Sequence, residues 1–142
     1  MQVDDLNKCL RDELSAVETY RQALDKGEKQ YGTDVKFQQL AQMCRDHEDA
    51  AAQLRDLIQQ LGGRASHNAG AWGAWSKTVM GTAKLLGDKT ALKALREGEE
   101  SGVKDYEGVL RASTPEVQRA LAPIVARDRT HIQQLDHMMA MA

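Results

Sequence analysis

The sequence predicts a single all-α domain over residues 1–142, built as two antiparallel helical hairpins joined by a long crossover that carries a short helix. Three observations predict it. Four long stretches repeat apolar residues in alternating steps of three and four, which keeps them on one stripe of a helix. Only two prolines and 4% aromatic residues stand beside many Ala, Leu, Gln, Glu, Lys and Arg, a composition that favours helix over sheet. Short breaks separate the members of each pair, whereas about 25 residues separate the pairs.

The first helix is expected from about Val3 to Gln30, on a stripe of Leu6, Leu10, Glu13, Val17, Tyr20 and Leu24. Tyr31-Gly32-Thr33 breaks it, and Thr33 or Asp34 supplies the next N-cap. The second helix reads Leu40, Met43, His47, Ala50, Leu54, Leu57 and Leu61 at the same spacing, and Gly62-Gly63 stops it. The crossover occupies about residues 62–88, with Trp72 to Leu86 as its short amphipathic helix and Gly87-Asp88 as a stop and new cap. The third helix carries Leu92, Leu95, Glu99, Val103, Tyr106 and Leu110. Ser113-Thr114-Pro115-Glu116 starts the fourth: a Thr cap, Pro in the first turn, then an acid favoured by the helix dipole. That helix shows Val117, Leu121, Ile124, Asp128, His131, Leu135 and Met138, with Pro123 expected to kink it just before Asp128.

At 142 residues the chain can bury a core without staples. A formal charge of −2 leaves no basic footprint, so nucleic acid is excluded as the expected partner. No apolar run reaches membrane-spanning length, and Met1-Gln2-Val3-Asp4-Asp5 lacks the regions of a signal peptide, so the expected address is cytoplasmic. Cys9 and Cys44 make no disulfide framework and read as small buried residues. Trp72 and Trp75 on one face of the crossover suit either a cap on the end of the bundle or a homodimer contact.

Every inward stripe has a polar interruption: Glu13, His47, Glu99, and the pair Asp128/His131. A buried carboxylate is costly unless something compensates it, and interruptions on four helices suggest a shared compensator. Folding each hairpin at its turn brings Glu13 within about one turn of His47, and Glu99 level with Asp128, with His131 one turn away. A divalent metal would convert this cluster into a site, because carboxylate and imidazole suit iron, manganese and zinc. The Asp128-x-x-His131 spacing puts both side chains on one helical face, where they can bind one ion or bridge two. Tyr20 and Tyr106 read as core aromatics whose hydroxyls reach the cluster. The competing reading is ionic: Arg11, Arg96 and Arg127 are available to pair Glu13 and Glu99.

A faint internal repeat runs through the hairpins. Glu13-Leu-Ser-Ala-Val17-Glu-Thr-Tyr20 matches Glu99-Glu-Ser-Gly-Val103-Lys-Asp-Tyr106 at Glu, Ser, Val and Tyr, with Glu and Tyr seven residues apart in both. The run from Leu6-Asn7 to Tyr20 resembles the first helix of ferritin-like proteins. The two hairpins, the Leu61-Gly62-Gly63 helix end, the Trp-containing crossover and Gly98-Glu99 are similar to a family of small bacterial ferritin-like domains of unknown function. The resemblance implies a ferritin-like four-helix bundle in which the first and third helices each give a Glu, and the second and fourth each give a Glu-x-x-His pair. Carried over, Glu13 and Glu99 match the lone glutamates, and Asp128 and His131 match the fourth-helix pair with Asp in place of Glu.

The second helix has no Glu-x-x-His. Cys44, Asp46, Glu48 and Asp49 stand beside His47 as candidates, and the apolar stripe selects His47 because that register buries both Leu54 and Leu135. The expected ligand set is therefore Glu13, His47, Glu99, Asp128 and His131, holding Fe, Mn or Zn in a mono- or dinuclear site. The activity implied by the resemblance is metal oxidation in stress protection. The alternative is a metal-free structural or interaction module whose buried polar network fixes helix register.

Overall fold

The computed structural model describes residues 2–25, 27–68, 86–87 and 89–141. It is helical, with no strand among the described residues. The elements are α1 (Gln2–Leu24), the single turn α2 (Glu28–Tyr31), α3 (Val35–Gln60), α4 (Lys89–Arg111) and α5 (Pro115–Met141). The crossover helix expected from Trp72, with Trp75 and the Asp88 cap, lies outside the described residues except for Leu86.

α1 ends six residues before the expected Gln30. Gly27 follows its last turn, where a residue without a side chain weakens the helix, and α2 buries no residue that would hold the segment to the core. α3 begins where a cap was expected: the Asp34 carboxylate accepts from the Lys36 and Phe37 amides at 2.7 and 3.2 Å. It ends at Gly62, whose φ of +80° suits glycine. Leu61, expected on the buried stripe, is its C-cap and is exposed. A Cβ on Gly63 would lie 2.5 Å from Val3 Cγ1, so this glycine lets the end of α3 close on the start of α1. Thr114 Oγ1 accepts from the Val117 amide at 3.4 Å ahead of Pro115, the first residue of α5. Pro123 sits inside α5 on its exposed side.

The pairing of the long helices follows from which residues meet. Asn7 reaches Arg64 just past α3 while Arg21 reaches Glu48 within it, and Lys8 reaches Asp105 while Tyr20 reaches Glu99, so α1 runs antiparallel to both α3 and α4. Arg129 meets Glu107 while Arg96 meets Asp136, which sets α5 antiparallel to α4. α5 lines one groove with its residues 120–124 beside 53–60 of α3 and another with 127–134 beside 35–46, so it is antiparallel to α3 as well. Gln60 and Lys89, the helix ends that the crossover joins, therefore lie at opposite ends of the helical core. These surface pairs report register more than they stabilise it.

The apolar side chains divide into two clusters. One gathers Leu6, Leu10, Leu54, Ile58, Val109, Leu121 and Ile124, and the other gathers Val17, Leu40, Met43, Leu92, Leu95 and Leu135. Between them along the helices lie Glu13, His47, Glu99, Asp128 and His131, each at most 4% exposed. The predicted stripes are buried almost throughout, and Leu110 alone of the α4 set is half-buried.

Candidate metal centre

Each of the four long helices brings a polar side chain to this layer because its apolar stripe carries it there. Glu13 lies between Leu10 and Val17 on α1, and Glu99 between Leu95 and Val103 on α4. His47 follows Met43 on α3, and Asp128 and His131 stand between Ile124 and Leu135 on α5. The apolar neighbours fix the rotation of each helix, and the acid or imidazole is buried along with them.

His47 is the hub. Its Nδ1 lies 2.5 Å from Glu13 Oε1 and its Nε2 2.6 Å from Glu99 Oε1. Two carboxylates on both ring nitrogens call for two N–H donors, which is the imidazolium. Burial pulls the His47 pKa down, but the charges and hydrogen bonds of Glu99 and Glu13 outweigh it and hold the pKa well above the ordinary histidine value. Burial likewise opposes ionisation of Glu99, yet the His47 charge and hydrogen bonds from both histidines hold it down to about 2.

Two tyrosines close the hub across the hairpins. Tyr20 donates to Glu99 Oε1 at 2.8 Å, and Tyr106 donates to Glu13 Oε2 at 2.6 Å. Burial and the neighbouring carboxylates push both phenols well above their usual range, so they act as fixed donors.

Asp128 has a poorer environment. Its Oδ1 is 3.6 Å from His131 Nδ1 and 3.9 Å from His47 Nδ1, beyond hydrogen-bonding length. Burial first, then the charge of Glu13, pushes it well above the usual carboxylate range, against the pull of His47 and with further pushes from Glu99 and from a hydrogen bond with Glu13. His131 presents Nδ1 to Glu99 Oε2 at 3.4 Å, and its Nε2 lies 2.8 Å from Asp46 Oδ2. Asp46 is half-buried and also meets Gln42 and Arg127. Burial opposes its ionisation, but the hydrogen bonds from His131 and Gln42 lower its pKa.

One donor atom each from His47, Glu99, Asp128 and His131 lies within 4.8 Å of the others. Glu13 is bound to this group through His47. Two imidazoles and carboxylates at this separation form a set that can hold a metal ion.

The fold brings all five predicted residues into one buried cluster. Of the other second-helix candidates, Asp49 is exposed, Glu48 pairs with Arg21, and Cys44 Sγ lies 3.9 Å from the Val17 carbonyl. Two of the three arginines suggested as partners go elsewhere: Arg96 binds Glu100 and Asp136, and Arg127 binds Asp46. Sequence reasoning missed that each tyrosine serves the glutamate of the other hairpin. The Glu-to-Tyr spacing gives depth along a helix and says nothing about the partner across it. It also missed Asp12, half-buried next to Glu13, which burial and the adjacent Asp105 push up to about 8.

An all-helical domain with a buried histidine–carboxylate cluster is the class that fold and site define. The sequence model of a family described as a domain of unknown function, DUF2383, matches residues 1–112, and the chain belongs to that family. The match spans α1 to α4 and stops before α5, which carries Asp128 and His131. No curated protein and no solved structure matches the chain.

Proposed function

We propose that this protein is a ferritin-like four-helix bundle that binds iron or manganese at the cluster of Glu13, His47, Glu99, Asp128 and His131, with zinc as a third candidate. The observation that carries the reading is Asp128. It is a buried carboxylate facing Glu13 and Glu99 with no basic atom within 3.5 Å among the described residues. Glu13, Glu99 and Asp128 outnumber the imidazoles that face them, since His131 is shared with Asp46. A divalent cation would take the place of the proton that burial and Glu13 otherwise hold on Asp128, and would give the three carboxylates one shared countercharge.

Helix order supports the ferritin-like part of the proposal. Two hairpins whose crossover joins opposite ends match that topology. Oxidation of the bound metal in stress protection, by a cytoplasmic homodimer, belongs to the same reading. The Trp72 and Trp75 contact expected at a dimer lies outside the described residues.

One observation favours the second reading, a metal-free network that fixes helix register. His47 already bridges Glu13 and Glu99, and both glutamates have tyrosine donors. The two readings part in one experiment. Chelator-treated protein is titrated anaerobically with Fe(II) and Mn(II), beside Asp128→Asn and His131→Ala. Near-stoichiometric uptake that both variants weaken supports the metal centre. Absence of uptake by the wild type leaves the network.

A further inference from the structure

α4 contains a glycine that packing does not explain. Gly102 is buried three residues after Glu99, in the middle of a helix, where glycine costs roughly 0.5–1 kcal/mol relative to alanine. The usual reasons for accepting that cost are absent. Its φ lies outside the left-handed region, where Gly62 alone of the described glycines sits. No neighbouring atom presses on it either: a Cβ built on Gly102 meets nothing within 4 Å.

The space left open belongs to the cluster. A small void is lined by Gly102 together with Asp12, Glu13, His47, Glu99, Tyr106 and Asp128, and it admits the centre of a water-sized sphere over about 10 Å³. That is near the least volume that houses one water molecule. Three of the four residues whose donor atoms converge, His47, Glu99 and Asp128, form its wall. Its outer wall is the half-buried Asp12, whose Oδ2 has no hydrogen-bond partner among the described residues.

The opposite side of the cluster is closed. The groove of about 480 Å³ between α3 and α5 reaches His131, but there the imidazole is tied to Asp46, which Arg127 backs.

We propose that the void at Gly102 is the position of the centre's exogenous ligand. It takes one water-sized molecule, such as water or hydroxide, on the α1–α4 side, and the missing side chain of Gly102 sets its size. The inference rests on the metal reading above. Protein ligands reach the cluster from all four long helices, and the Gly102 side is where a non-protein ligand can stand against His47, Glu99 and Asp128 together. Asp12 is placed to accept a hydrogen bond from it.

The test uses Mn(II) alone as the probe and water-proton relaxation as the readout, which reports a water on the metal without any assay of activity. Wild type, Gly102→Ala and Gly102→Val are loaded with Mn(II), with Gly108→Ala as a control on the same helix, where the added carbon meets only the end of the Arg111 side chain at 4.0 Å. The expected result is unchanged Mn(II) stoichiometry in all four, with the relaxation enhancement reduced in Gly102→Ala, lost in Gly102→Val and retained in Gly108→Ala. Gly102→Ala adds one carbon to empty space, so it keeps the test valid if the valine variant folds poorly. Equal enhancement in wild type and Gly102→Ala at equal Mn(II) content overturns this inference and leaves the metal centre standing. Failure of the wild type to bind Mn(II) overturns both.

Discussion

The hydroxyl of Tyr20 on α1 donates to Glu99 Oε1 on α4 at 2.8 Å, so each hairpin supplies the proton donor for the other's glutamate. Tyr106 returns the same bond to Glu13 at 2.6 Å. The matched Glu and Tyr of the internal repeat are thus exchanged between α1 and α4, which ties the two hairpins at the level of the cluster. Both acceptors also bind His47.

Replacing either tyrosine with phenylalanine removes a hydrogen bond to a buried charged group while preserving the ring. Tyr20→Phe and Tyr106→Phe should each lower the stability of metal-free protein by about 1.5–3 kcal/mol, read from urea unfolding. A loss below about 0.5 kcal/mol in both would show that the hydroxyls do not hold the hairpins together.

His47 is the cation of the metal-free cluster. His47→Leu should cost about 3–5 kcal/mol, because it leaves Glu13 and Glu99 buried without their countercharge. Adding Glu13→Gln and Glu99→Gln should recover much of that loss, since the uncompensated charges go too. A triple variant no more stable than His47→Leu alone would contradict the charge assignment.

The pH dependence of the metal-free protein follows from the shifts. Glu99, held at about 2 against an ordinary 4.5, contributes stability present above pH 4.5 and lost as the pH falls toward 2. His47 is raised above 6.5, so its contribution is full below pH 6.5 and lost as the pH rises through its folded value. Asp128 is raised above 3.8 and contributes in the same direction as His47. Metal-free protein should therefore unfold at higher urea at pH 5.5 than at pH 8.5, and Asp128→Asn should flatten the decline. Metal ligation by His47 must displace a proton, so Mn(II) affinity should rise with pH, by up to about tenfold per unit for each proton released. An affinity independent of pH between 5.5 and 7.5 would show that His47 is not a ligand.

Asp46 holds His131 from outside the cluster, leaving Nδ1 directed at Glu99 and Asp128. Asp46→Asn should lower metal affinity by roughly 10–100-fold with little change in stoichiometry, as such supporting carboxylates do. Asp46→Glu should restore part of the affinity if orientation of the imidazole is the cause.

Much of this was legible in the chain. The stripes that bury Leu6 to Tyr20, Leu40 to Leu57, Leu92 to Tyr106 and Val117 to Met138 are local patterns. Burial of one face drags Glu13, His47, Glu99, Asp128 and His131 inward with it. Caps at Asp34 and Thr114 and the stop at Gly62 were likewise local chemistry. The early end of α1 was less visible, because Gly27 breaks a helix only where no packing holds the next turn.

Tertiary structure alone decided who meets whom. Side chains at one depth on four helices can pair in several ways, and the choice depends on helix rotation and on which faces adjoin. Only the packed arrangement selected His47 as the bridge between Glu13 and Glu99, sent each tyrosine to the opposite hairpin, and put Asp46 beside His131. The void at Gly102 is of the same kind. A glycine in a sequence has no size requirement of its own, and whether its missing side chain is filled by a neighbour or left open is settled by the helices around it.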